Sequence, residues 1–394
     1  MDHAFGPPAR PAWQPHMVAP IILALAVLPF AITIRYTADF GLAYQGGLEA
    51  WASGHPERLF SWFSTPFLGL LMAVITRVAS VDVAAHVFLV FNLVVWGGLL
   101  MVVWSRLYGL TPPRWWWITL VAAGVFSPAI STVYWMAFNL IVFVLALAGF
   151  ALVGRHDRLA ALLIGLSLAI KPIVILLPLA LLVRRQTRAA GAWAIAAAAG
   201  FSAAGLGFLA WRAGDPSVLN PFPYLSAFAA KGRGPLAACV TQNYSQTALL
   251  CRLGVPTSTV IALVLGAAVI GLGWLLTRRF PPSSGRAWEL FAVACLLSPL
   301  VGPIEWATYQ LLFAPLMLLL AYQFWAERAP LRLWVYLVVA YLMCELVWDP
   351  VESLARTPVV VLVVSYSVGQ FAQYLILIVL LQWAWIRSHR LAPA

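Results

Sequence analysis

Between Val18 and Trp385 the chain returns repeatedly to continuous apolar stretches, and this limits its fold more than any single motif does. In lipid, every backbone N–H and C=O must find a partner inside the protein, which a helix achieves within one segment and a barrel only by closure. Barrel strands alternate apolar and polar residues, whereas these runs are unbroken. The expected fold class is therefore an all-α polytopic membrane protein. Composition agrees: 63% of the 394 residues are hydrophobic and 9% are charged, with a mean hydropathy of +0.91. Residues 1–16, with Pro7, Pro8, Arg10 and Pro11, read as a short polar tail. The span after it is too long for a signal sequence and reads as a retained first helix.

A net charge of +11 suggests nucleic acid until its distribution is followed. The basic residues sit between spans, and short Arg-rich loops face the cytoplasm. Placing the N-terminus inside and Arg155/Arg158, Arg184/Arg185/Arg188, Arg278/Arg279/Arg286, Arg328/Arg332 and Arg387/Arg390 on the same side gives about twelve spans. They fall near 17–35, 84–104, 115–131, 139–153, 159–170, 172–183, 190–211, 256–277, 288–303, 308–326, 332–348 and 358–386. Inside loops then hold 15 Lys and Arg against 4 acids, and the outside holds 9 of each. The stretch Thr65 to Ala79 is short of the ~20 residues a crossing needs. It is placed as an amphipathic or re-entrant segment on the outer face, because counting it as a span would invert every later loop.

Two outer loops are long, 36–83 and 212–255, and long loops on a rigid scaffold usually carry function. No repeat is visible, so residues 1–394 are expected to form one integral membrane domain. Cys239 and Cys251 share the second loop, where a disulfide and free thiols are both open. The six His residues do not cluster, and metal-ligand spacings, GxGxxG and Walker motifs are absent. No metal and no cofactor are expected.

Asp39 opens the first outer loop, a carboxylate at a membrane face where charge is scarce. Asp39-Phe40, Tyr44, Gly47, Ala50-Trp51, Gly54-x-Pro56 and Pro66 before an apolar run form a series. Gly165-Leu-Ser-Leu-Ala-Ile-Lys171-Pro172 follows, then Asn243-Tyr244-Ser245 leading into Leu249-Leu250-x-Arg252-Leu253, and finally Ser298-Pro299. In order and spacing this series resembles the bacterial polyprenol-phosphate-mannose-dependent α-mannosyltransferases, glycosyltransferase family 87 of the GT-C superfamily. The likeness runs from about Arg35 to Leu320. Ser64-Thr65-Pro66 stands where relatives often have paired prolines, and Tyr244 interrupts an Asn-Gln-Ser pattern. Glu305, Trp306, Thr308 and Tyr309 stand where relatives carry His.

The resemblance implies a GT-C-type membrane hexosyltransferase. Such an enzyme moves a sugar, mannose in the family, from a polyprenyl-phosphate donor to a lipid or glycan acceptor hydroxyl with inversion. It implies a bacterial inner-membrane location with the active site facing the periplasm or exterior, and no nucleic acid partner. Asp39 would be the catalytic base, and an interfacial acid pairing with Arg35 or capping a short helix is its plainer role. Lys171, the one Lys inside an apolar segment, and Arg252 would hold the donor phosphate; snorkelling to the interface is the plainer role of Lys171. Tyr44, Asn243, Ser245, Glu305, Trp306 and Tyr309 would contact substrate, against turn-forming or aromatic-belt roles. A lipid or glycolipid transporter and a catalytically degenerate membrane protein are the alternatives.

Overall fold

The computed structural model describes residues 38–59, 64–107, 126–222, 287–301, 307–345 and 368–390. These residues are helical, with no strand among them. The chain enters through α1 (Ala38–Ala52), a 3-10 turn (Pro56–Arg58), α2 (Pro66–Val78) and α3 (Val81–Leu107). A run of shorter helices follows: α4 (Ser127–Tyr134), α5 (Asn139–Leu152), α6 (Asp157–Ile170) and α7 (Leu176–Val183). Then come α8 (Arg188–Ala213), a 3-10 turn (Pro216–Leu219) and α9 (Ala287–Val301). A 3-10 segment (Ala307–Phe313) leads into α10 (Ala314–Ala326), followed by α11 (Leu331–Glu345) and α12 (Val368–Arg390).

Among the described residues, two stretches are long and apolar enough to cross a bilayer, α8 and Thr308–Ala326; α2 with residues 81–96 of α3 adds a third if taken as one broken span. That pair is bent by 119° around Ala79–Ser80. The expected spans 17–35 and 256–277 lie outside the described residues. Two others differ from the expectation. Of the expected span 115–131, residues 115–125 lie outside the described residues, Phe126 is not helical, and Pro128 in the first turn opens α4. Residues 172–183 give only the eight helical residues of α7, because Pro172 cannot continue α6 and the chain runs non-helically through 171–175. By contrast, 308–326 coincides with the stretch Thr308–Ala326 that is long and apolar enough to cross, although it begins as 3-10 helix and becomes α-helical at Ala314.

The helix α8 is the ruler of the bundle. Trp193 and Trp211 are 60% and 66% exposed near its two ends, and eighteen residues at ~1.5 Å each separate them by about 27 Å. That is close to the ~30 Å hydrocarbon thickness, and exposed Trp marks membrane interfaces. Arg155/Arg158 at the start of α6 and Arg184/Arg185/Arg188 at the start of α8 fall together at the Trp193 end. The two helices run parallel, with Gly165 against Ala194, Ala197 and Ala198.

Small residues let the backbones approach, as is usual where lipid removes the hydrophobic drive between helices. A Cβ on Gly47 would lie 2.6 Å from the Met72 carbonyl carbon, and one on Gly205 would lie 2.5 Å from the Phe67 nitrogen. Gly205 therefore seats the start of α2 on α8. Gly205→Ala is expected to destabilise the protein by about 1–3 kcal/mol through overpacking, whereas Gly207→Ala, which meets nothing within 4 Å, should be neutral or slightly stabilising. Thermal unfolding of both variants in detergent checks this.

Candidate active site

Pro172 sets the backbone of the first key residue. The position before a proline is pushed out of helical geometry, and Lys171 is extended at φ −156°, ψ 119° as the C-cap of α6. Its ammonium donates to Asn139 Oδ1 at 2.9 Å and lies 4.7 Å from the centre of the Tyr309 ring. A cation near the C-terminus of a helix is also favoured by the aligned carbonyls.

Asn139 is the hub. It is fully buried at the first position of α5, and its amide Nδ2 donates to Thr308 Oγ1 at 2.7 Å. Thr132 Oγ1 donates to the Thr308 carbonyl at 3.3 Å and to the Pro128 carbonyl at 2.7 Å. Two more hydroxyls brace the segment that bears Lys171. Thr65 accepts the Leu68 amide at 3.1 Å as the N-cap of α2 and donates to the carbonyls of Ala169 and Ile170. Ser298 Oγ accepts the Leu176 amide at 3.1 Å, which pins the start of α7 to α9.

The depth of Lys171 follows from its neighbours. Gly165 meets α8 at Ala194–Ala198, while Pro66, next to Thr65, meets it at Gly205. Lys171 thus lies beside residues 198–205 of α8, ~9–20 Å below Trp211 at 1.5 Å per residue. A charge at that depth is costly unless paired or functional.

Asp39 reaches the same neighbourhood from another direction. It is half-buried in the first turn of α1, where the helix's free N–H groups favour negative charge. Its own amide donates to the Trp135 carbonyl at 3.1 Å. Behind it, Phe40 packs on Phe88 and Phe138 with ring centroids 4.9 and 6.2 Å away. Trp135 and Asn139 are the two ends of the turn between α4 and α5, whose span is at most ~14 Å. The backbone of Asp39 and the ammonium of Lys171 are thus anchored to one short turn.

The profile of glycosyltransferase family 87 matches residues 62–303, more than half of the chain. The chain belongs to glycosyltransferase family 87. It is accordingly an enzyme, a membrane-associated glycosyltransferase. The match covers Lys171, Asn139 and Thr65, begins after Asp39 and ends before Thr308. No curated protein and no solved structure matches the chain.

Of the residues expected at the site of this family 87 glycosyltransferase, Lys171 and Tyr309 are in contact, and the backbone of Asp39 is anchored to Trp135, at the other end of the turn that carries Asn139. Tyr44 is buried, and its hydroxyl donates to the Ala79 carbonyl at 2.8 Å, fastening the bend between α2 and α3 to α1. Asn243, Ser245, Arg252, Glu305, Trp306, Cys239 and Cys251 lie outside the described residues. Thr65 and Thr308 stand out in the sequence only as departures from the family pattern, and Asn139 not at all, although a polar residue heading an apolar run, as in Asn139-Leu-Ile-Val-Phe, was a usable signal.

Asn139→Leu should leave both Lys171 and Thr308 short of a partner, at a cost of about 1–3 kcal/mol per buried group. Displacement of the ammonium should also slow transfer by roughly 10²-fold. Thermal unfolding and a transfer assay on the same preparation check both.

Proposed function

We propose that this glycosyltransferase moves a hexose, mannose in our reading, from a polyprenyl-phosphate donor to a lipid or glycan acceptor hydroxyl, inverting the anomeric centre. The acceptor oxygen attacks the anomeric carbon while the bond from that carbon to the phosphate oxygen breaks. Asp39 takes the hydroxyl proton as general base. Lys171 holds the phosphate and meets the negative charge that grows as polyprenyl phosphate departs. The observation that supports this reading is the shared turn from Trp135 to Asn139, which holds the backbone of Asp39 at one end and the ammonium of Lys171 at the other.

In the same reading the chain is one GT-C-type domain in a bacterial inner membrane, with its site open to the periplasm or exterior. Tyr309, under the Lys171 ammonium, together with Glu305 and Trp306, recognises the sugar, since aromatic faces stack on the apolar side of a pyranose. Arg252 assists at the phosphate, and Asn243 and Ser245 hydrogen-bond substrate. Tyr44 serves the bend between α2 and α3 rather than the sugar.

Membranes containing the protein, incubated with radiolabelled polyprenyl-phosphate mannose and a mixed lipid extract, should gain a labelled glycolipid absent from control membranes. Transfer from a different polyprenyl-phosphate hexose, with none from the mannose donor, would overturn the sugar assignment. Transfer only from a nucleotide sugar would overturn the donor class.

A further inference from the structure

At the Trp211 end of the bundle, one indole carries two arginines. The guanidinium carbon of Arg77, in the last turn of α2, lies 5.1 Å from the centre of the Trp51 ring. That of Arg212, in the last turn of α8, lies 4.7 Å from it. Arg212 also donates through Nε to the Trp51 carbonyl and sits 5.2 Å from the Trp211 ring. Phe208 packs against both indoles, 6.1 Å from Trp51 and 5.9 Å from Trp211. The fold makes this meeting possible: α2 follows the upper half of α8, from Phe67 against Phe201 at 5.0 Å up to Arg77.

Two like charges on one ring repel each other unless an anion joins them. The nearby carboxylates do not serve. Glu49 accepts a hydrogen bond from the Ser53 hydroxyl, and Glu57 pairs with His55 at 2.9 Å. Asp215 accepts the Ser217 hydroxyl at 2.7 Å and its amide at 2.8 Å; the hydroxyl above all holds the Asp215 carboxyl below the usual carboxylate range. Among the described residues, neither Arg77 nor Arg212 has a salt bridge. Their position adds the second half of the case. Arg212 follows the exposed Trp211 at the end of a membrane-crossing helix, where lipid headgroups lie. Guanidinium groups match phosphate in geometry as well as charge.

We propose that Arg77, Arg212 and Trp51 form a binding site for the phosphate of an anionic phospholipid in the leaflet that meets the Trp211 end. The site is separate from the Lys171 cluster: α2 spans the distance from Thr65, beside Lys171, to Arg77, ~18 Å at 1.5 Å per residue. A lipid bound there clamps α2 to α8 above the catalytic cluster without entering it.

The test uses the full chain in phosphatidylcholine nanodiscs, with spin-labelled phosphatidylglycerol as the probe and spin-labelled phosphatidylcholine as the reference. Each basic residue near an anionic headgroup contributes roughly fivefold in affinity. The preference of the wild type for phosphatidylglycerol should therefore fall by about that factor in Arg77→Gln. Arg77 is exposed, so the variant should fold normally. Arg328→Gln, at an exposed position in the turn before α11, should keep the preference. Transfer activity of Arg77→Gln in pure phosphatidylcholine should equal that of the wild type, so a failed lipid test and a failed transferase reading are told apart. An unchanged preference in Arg77→Gln overturns the site. So does an equal loss in Arg328→Gln, and displacement of the probe by equimolar polyprenyl phosphate assigns the corner to the donor instead.

Discussion

Asp39→Asn is expected to lower the rate of sugar transfer by about 10² to 10⁴, the usual weight of a positioned general base, with protein level and fold intact. Stability should hardly move. A carboxylate in the first turn of a helix contributes only ~0.3–1 kcal/mol through the helix N–H groups, and the neutral amide retains the shape of the side chain. The amide of Asp39, which anchors it to Trp135, is untouched by the change. Single-turnover transfer from labelled donor, run beside thermal unfolding, separates the two roles. If transfer survives in Asp39→Asn, the carboxylate has a structural role, and the base lies elsewhere.

The second large effect belongs to Lys171. Lys171→Met keeps most of the length of the side chain but removes the charge, and it should cost roughly 10² to 10³ in kcat/KM through lost stabilisation of the departing phosphate. Lys171→Arg should not restore the rate, because a planar guanidinium cannot reproduce a point charge held between the Asn139 oxygen and the Tyr309 face. In the folded state the loss of one costly ion offsets part of the about 1–3 kcal/mol that an unpartnered Asn139 Oδ1 costs, so a folded protein is expected. Donor titration of both variants reads the effect. A normal KM and kcat in Lys171→Met would reduce the lysine to a structural partner of Asn139.

Some of this was legible in the sequence for definite reasons. Lys171-Pro172 announced a broken helix with a charge at its end because proline acts locally, through its own ring and the residue before it. Gly47 and Trp51 stood out only within the spaced series around Asp39, and the structure gives both a purpose, one as a contact point for Met72 and the other as a seat for two arginines. Helix lengths were misjudged. Hydropathy sums apolar residues without sensing where the backbone stops being helical, so 172–183 read as one segment although its helix begins only at Leu176. The hub at Asn139 stayed hidden because its partners, Lys171 and Thr308, are 32 and 169 positions away. No local pattern encodes that meeting. For Tyr44, expected to contact substrate, the structure shows a hydroxyl bonded to the Ala79 carbonyl, a partner 35 positions away that no local pattern encodes.

The brevity of α5, α6 and α7 has a consequence for how the protein is made. With 14, 14 and 8 residues, none reaches the ~20 that a single segment needs to settle across a bilayer alone. Each leaving the translocation machinery by itself would expose its end groups and, at the close of α6, a lysine. α8 is the first helix after them that is long enough to stand alone, and its glycines and alanines form the surface on which α6 and α7 lie. Their insertion is therefore expected to wait until α8 has been synthesised, so that residues 139–213 enter the membrane as one group. Truncating the nascent chain before Arg188 should leave this region extractable from membranes by alkali, and extending it past Ala213 should fix it there.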